Sequence, residues 1–248
     1  MRAAFSVLFL IIMAGPISAQ VTRWVVDPAL SLAWWQVNPH MNHLWATTCP
    51  QDPSWRPGEG RGSGWLDVGP LILPHGYAAI VDTVVPLFPR KWPFPLCKSA
   101  VRGELVTADT ITWRGTRGLI TVRADSLETG YDRRDIYARR AVLETDKYPD
   151  MRFSIDSLTD VRPGDTLRTV VVGVFDLRGM KRAVTAPARA WREAGGLRVT
   201  ARFDLDPNDL IVVYGVSRVA LGLGVGSKIW KTLHVGVDVV LKRAQPES

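Results

Sequence analysis

Four histidines and two cysteines are the residues with which this chain could bind a metal or run nucleophilic or redox chemistry. Their spacing decides how much of that to expect. His40 and His43 stand three apart, a separation that lets one helix face chelate a metal, but Pro39 and the alternating strand before it argue against a helix there. His75 and His234 lie far off in the chain. Gly222-Leu223-Gly224-Val225-Gly226 has the glycine spacing of a nucleotide loop without its strand-to-helix setting, because Lys228 onward alternates like a strand. Ser63 sits among the glycines of 60–64 but lacks the G-x-S-x-G spacing of a nucleophile elbow. The expectation is therefore no catalytic residue, no metal site, no cofactor and no enzyme.

Cys49 and Cys97 are best read from their compartment. Residues 1–19 have the three parts of a secretory signal: Arg2, an apolar run from Phe5 to Met13, and the break Gly15-Pro16 before Ile17-Ser18-Ala19. The run is too short to span a bilayer. Cleavage is expected after Ala19, which leaves Gln20 first in a periplasmic or secreted protein. Cysteine pairs oxidise there, so Cys49 and Cys97 are expected to form a disulfide. Closing that loop would contribute about 4 kcal/mol in the chain-entropy account. A zinc site would cluster its ligands, and these two are far apart.

The elements that must position everything else are strands. In 197–205, Leu197, Val199, Ala201, Phe203 and Leu205 share one face and Arg198, Thr200, Arg202 and Asp204 the other. In 231–241, Leu233, Val235, Val237, Val239 and Leu241 line up against His234, Gly236 and Asp238. Further strands read at 24–26, 31–38, 101–106, 109–114, 117–125, 151–159, 166–177 and 182–192. Period-two alternation means antiparallel sheet with one buried face. Pro163-Gly164-Asp165, Arg178-Gly179-Met180 and Ala194-Gly195-Gly196 supply the turns. Many short strands at regular spacing indicate a barrel or sandwich. One helix interrupts the series, over Tyr131 to Ala141, with Asp135 and Arg139 four apart on one face. Pro149 then turns the chain into the next strand.

Between Cys49 and Cys97 the composition changes: nine of the 17 prolines fall there, with Trp55, Trp65 and Trp92. That stretch reads as an insertion, over about 46–98, that either covers a barrel mouth or presents a surface to a partner. The domain organisation is a 1–19 signal peptide followed by one domain over 20–248.

Three motifs resemble the YceI-like family, exported lipocalin-like proteins associated with polyisoprenoid binding. Trp24-Val25-Val26-Asp27-Pro28-Ala29-Leu30-Ser31 is similar to the family's opening "DPAHS". Thr129-Gly130, Arg134-Asp135, Arg139, Leu143 and Lys147-Tyr148-Pro149 resemble its helix and "KYP" turn. Val172-Gly173 to Leu177, Gly179 and Val184-Thr185 resemble its "G-L-T-I-H-G-V-T-K-P-V" hairpin. The likeness runs over about 21–45 and 99–243. Leu30 and Arg178 stand where the family carries histidines.

The resemblance implies an all-β, antiparallel, lipocalin-like barrel of about eight strands with one short helix, its interior an apolar tunnel for a long isoprenoid chain. Eight strands leave room for side chains or for one slim ligand. A buried chain gains about 0.8 kcal/mol per methylene, so a prenyl tail binds without polar contacts. Ala33, Trp35 and Val37 face the tunnel by register with the family's strand. Phe153, Ile155, Phe175, Phe203, Val235 and Val237 are candidates by alternation. The same pattern is met by a closed core in which these side chains meet. Arg134, Arg139 and Arg178 are candidates for a polar headgroup, against the alternative of a solvated helix face.

A net charge of +7, with 46% apolar and 22% charged residues over 248, excludes a disordered chain. The charge is scattered, which suits an anionic ligand or a membrane surface more than nucleic acid. The expected function is exported binding or carriage of an isoprenoid-like lipid, polyprenyl or quinone-related. The alternatives are an enzyme on a hydrophobic substrate in the same cavity, or a closed-barrel module that binds an envelope protein.

Overall fold

The computed structural model describes residues 21–37, 44–49, 98–128, 132–193, 195–217 and 232–245. Ten antiparallel strands order them: β1 (Thr22–Val26), β2 (Leu32–Val37), β3 (Leu44–Thr47), β4 (Val101–Thr107), β5 (Arg117–Arg123), β6 (Asp150–Arg162), β7 (Thr166–Leu177), β8 (Met180–Glu193), β9 (Gly196–Leu205) and β10 (Leu233–Arg243). Eight of them close a ring in the order β1-β4-β5-β6-β7-β8-β9-β10, sealed by β10 against β1 with Trp24 opposite Arg243 and Val26 opposite Leu241. This is the expected closed antiparallel barrel.

The β1–β2 segment is one strand with a step in it. β1 lies along the last residues of β10 and β2 along the first, Ala33 opposite Val237 and Trp35 opposite Val235. Asp27 makes the step: its backbone N–H donates to Val240 O at 2.7 Å, and its carboxylate accepts from Ala29 N–H at 3.0 Å and meets Lys242 Nζ at 2.6 Å. β3 then pairs with β2, and a bridge from Thr47 to Glu128 ties it to the segment before the helix.

The β8–β9 ladder is short. It runs from Glu193–Gly196 to Ala188–Ala201 and stops. The next residue of β8 is Pro187, which has no N–H to donate, so it suits the end of a ladder. A helix, α2 (Pro207–Val212), packs by the unpaired half of β8, with Asp209 in an ion pair to Arg182. Asp206 caps α2, accepting from Asn208 N–H at 2.7 Å with Pro207 in the first turn. The other helix, α1 (Asp132–Tyr137), runs on as a wider π turn over Ala138–Leu143.

One expected strand changes. Residues 109–114 are not a strand: Asp109 accepts from Ile111 N–H at 2.7 Å, and Trp113 and Gly115 have φ of 56° and 67°, so the segment is a knot of turns. β3 and α2 are two elements added to the expected series. The Cys49–Cys97 staple is not displayed by the described residues, because Cys97 lies outside them; Cys49 is fully buried and is not a free thiol. The leader 1–19 and residues 50–97 of the insertion also lie outside.

Candidate functional site

One apolar cluster collects side chains from every strand of the ring, including Val26, Ala33, Val101, Ile120, Ile155 and Val171. A second gathers Phe175, Leu177, Leu205, Leu210, Tyr214 and Val216, with Ala141 to Leu143 packed against it, so both helical segments close the same end. Trp24 and Trp113 pair in the first cluster, ring centroids 6.1 Å apart. The inner faces of β9 and β10 are apolar at every position, from Leu197 to Leu205 and from Leu233 to Leu241.

Of the nine tunnel candidates, Ala33, Ile155 and Phe175 are buried cluster members, and Phe153, Phe203, Val235 and Val237 pack against the clusters. Trp35 is part-buried opposite Val235; the side chain of Val37 lies outside the described residues. The three phenylalanines are in mutual contact. Phe153 stacks on Phe203 at 6.0 Å, Phe203 tilts on Phe175 at 5.0 Å, and Phe175 meets the edge of Tyr214 at 5.9 Å. β8 contributes the smallest inner surface, Ala186, Ala188 and Ala190, all buried. Their A-x-A-x-A spacing carries the same period-two signal, so these three and Tyr214 belong on the interior list beside the aromatic candidates. Burial pushes the Tyr214 hydroxyl up to about 12.

Two of the three headgroup candidates are paired with protein groups. Arg139 pairs with Glu128 at 3.2 Å, and Glu128 also meets Lys98. Arg178 donates to Gly215 O at 2.9 Å and pairs with Glu144. The side chain of Arg134 lies outside the described residues.

A cavity of about 200 Å³ lies elsewhere, over the row where the β8–β9 ladder stops. It is lined by Thr169, Ala188, Ala201 and Val237 of that row, and by Trp34, Arg168, Pro187, Arg189, Thr200 and Arg202. Alternation puts this second set on the outer face, opposite in parity to the interior clusters. Its lining holds three arginines and, among the described residues, no carboxylate.

The family model described as a YceI-like domain matches residues 97–241, more than half of the chain. The chain belongs to the YceI-like family. Among solved structures it is similar to BcnA of Burkholderia cenocepacia, at 11% identity and TM-score 0.52 over 87% of this chain and 98% of that one. It is also similar to a polyisoprenoid binding domain from Saccharophagus degradans implicated in plant cell wall breakdown, at 12% identity and TM-score 0.50 over 89% and 98%. At such identities the likeness is one of fold. No curated protein matches the chain.

Within the YceI-like barrel the family hairpin turns at Arg178-Gly179, both at positive φ, 55° and 74°, the pairing a two-residue type I′ turn needs. The ring of Tyr148, from the "KYP" motif, lies 3.5 Å from where a Cβ on Gly179 would stand. So two motifs distant in the chain meet in one contact, with the Arg178 guanidinium 5.9 Å from the Tyr148 ring centre. Of the histidines, only His234 is described. Its Nδ1 is 2.7 Å from Asp204 Oδ1, on the outer face and not in the interior. Among the described residues no group of three potential metal ligands comes together, and no helix is long and apolar enough to cross a membrane.

Proposed function

We propose that this YceI-like barrel binds one isoprenoid-like lipid, its tail lodged along the inner faces of β7 to β10, and that it does so as an exported protein after loss of residues 1–19. The observation that carries the reading is the unbroken apolar inner face of β9 and β10 opposite the three small alanines of β8. That surface offers an alkyl chain about 0.8 kcal/mol per methylene and no polar group to desolvate. The name of the Saccharophagus domain supports the same ligand class. Lodging a tail requires the Phe153–Phe203–Phe175 contacts to turn aside, and the alanines are the side chains that crowd it least.

The test is organic extraction of the purified full-length protein followed by mass spectrometry. A stoichiometric prenyl lipid is the expected result. A protein that carries none, and takes up no added polyprenol, overturns the proposal. The phenylalanine contacts favour a second reading, a barrel with a filled interior that serves as an interaction module; Phe203→Ala separates the two. A binding barrel with that ring removed takes up more lipid, whereas a filled core only loses stability, by about 3–5 kcal/mol.

A further inference from the structure

The hydroxyl of Tyr214 is not explained by the packing around it. The tyrosine belongs to the apolar cluster at the helical end of the barrel and is 1% exposed. Its ring meets Phe175 edge-on at 5.9 Å. Its oxygen is buried and has no hydrogen-bond partner among the described residues. An unsatisfied buried hydroxyl costs stability that a phenylalanine of the same shape would keep.

The hydroxyl stands where the inner wall ends. The inner faces of β7 to β10 run into this cluster through Phe175, Val184, Phe203, Leu205 and Val235. A tail lying along those faces therefore has one end at Tyr214. The wall is also incomplete here. β8 pairs with β9 only from Ala188 to Glu193, so from Met180 to Pro187 the edge of β8 that faces β9 meets no strand.

Charge at this end decides what kind of head it suits. Arg178 is paired with Glu144, and Arg182 with Asp209. Neither guanidinium is spare for a phosphate, and a charge buried beside them would lack a counter-ion. Burial holds the Tyr214 hydroxyl near 12, so it keeps its proton and can donate at neutral pH. One neutral donor in apolar surroundings matches one neutral acceptor.

We propose that Tyr214 reads the polar end of the interior lipid: its hydroxyl donates to an uncharged carbonyl or alcohol oxygen, and so selects an oxygenated isoprenoid over a hydrocarbon and over a phosphate ester. The assignment rests on the reading that the interior binds a lipid. It adds which end of that lipid lies at the helical end of the barrel.

The experiment is equilibrium binding of the full-length protein to three probes delivered in mixed micelles: geranylgeraniol, its diphosphate ester, and phytane, the hydrocarbon of the same carbon skeleton. Wild type is expected to prefer geranylgeraniol to the other two. Tyr214→Phe is expected to bind geranylgeraniol about tenfold more weakly, the worth of one hydrogen bond, while its binding of phytane holds and its stability does not fall. Phe175→Leu, which alters the same contact without a polar atom, shifts all three probes together. Equal binding of geranylgeraniol by wild type and Tyr214→Phe overturns the proposal. Equal weakening of all three probes in Tyr214→Phe does so too, as does a wild type that prefers the diphosphate. A wild type that takes up phytane with no preference for the alcohol sinks this proposal and leaves the interior-lipid reading standing. A wild type that takes up no probe sinks both.

Discussion

The indole of Trp34 lies over Gly236, its cross-strand partner: a Cβ at position 236 would stand 2.3 Å from Trp34 Cζ2. The glycine is there to admit the ring. Gly236→Ala should cost about 1–3 kcal/mol, the usual penalty of overpacking. Trp34→Leu should relieve much of it in the double variant, giving a positive coupling in a urea-denaturation cycle. Simple addition of the two losses would show that the contact is not the cause.

A second prediction concerns the ion pair of Asp238 with Arg198. Asp238 is fully buried and Arg198 nearly so, and the two meet at 3.4 Å. Removing Asp238 takes one of two acids from the buried Arg198 guanidinium, the other being Glu193 at 2.8 Å. Asp238→Ala should lose about 1–3 kcal/mol of stability, measured by chemical denaturation. The double variant Asp238→Leu/Arg198→Met should lose much less.

Acid should weaken the barrel through two outer-face carboxylates. The hydrogen bond to His234 holds Asp204 below its ordinary 3.8. Burial works to raise the Asp27 carboxyl, but its bonds with Lys242 and with the Ala29 N–H outweigh that and hold it low as well. A lowered carboxylate contributes stability above its unfolded value and loses it as the pH falls through the folded one. Stability should therefore fall with pH below about 4, and Asp204→Asn and Asp27→Asn should each flatten that slope. An unchanged slope in both variants would assign the acid sensitivity to other groups.

At the other end of the scale, the Tyr214 hydroxyl is buried with no hydrogen-bond partner among the described residues. Tyr214→Phe should be neutral or raise stability by about 1 kcal/mol near neutral pH. With its hydroxyl held near 12 against an ordinary 10, the wild type loses stability as the pH rises from 10 towards 12. Thermal melts across that range should fall less steeply for the phenylalanine variant.

Much of the ring was legible because alternation is a local signal. Leu197 to Leu205 and Leu233 to Leu241 declare their inner faces without help from the rest of the chain. What failed were short segments whose conformation rests on a single side chain. Asp109 folds 109–114 into turns that pattern alone reads as a strand, while β3 has only four residues in which to show a period. α2 did have a signal, Asp206-Pro207 with Asp209 three residues after the cap, which is a capping box. The place of Tyr214 had none. Its ring reaches Phe175 only because α2 packs on the helical end of the barrel, a contact that no local pattern announces.

The seal between β1 and β10 joins the earliest described strand to the latest. Contacts so remote in sequence are the slowest to form, because most of the intervening chain must be ordered before they contribute. Until β10 arrives, β9 and β1 both present bare edges, each a template for another molecule's strand. This barrel therefore passes through a vulnerable interval during every round of folding. A helper that shields open edges, or dilution during refolding, should improve its yield far more than any strengthening of the finished wall.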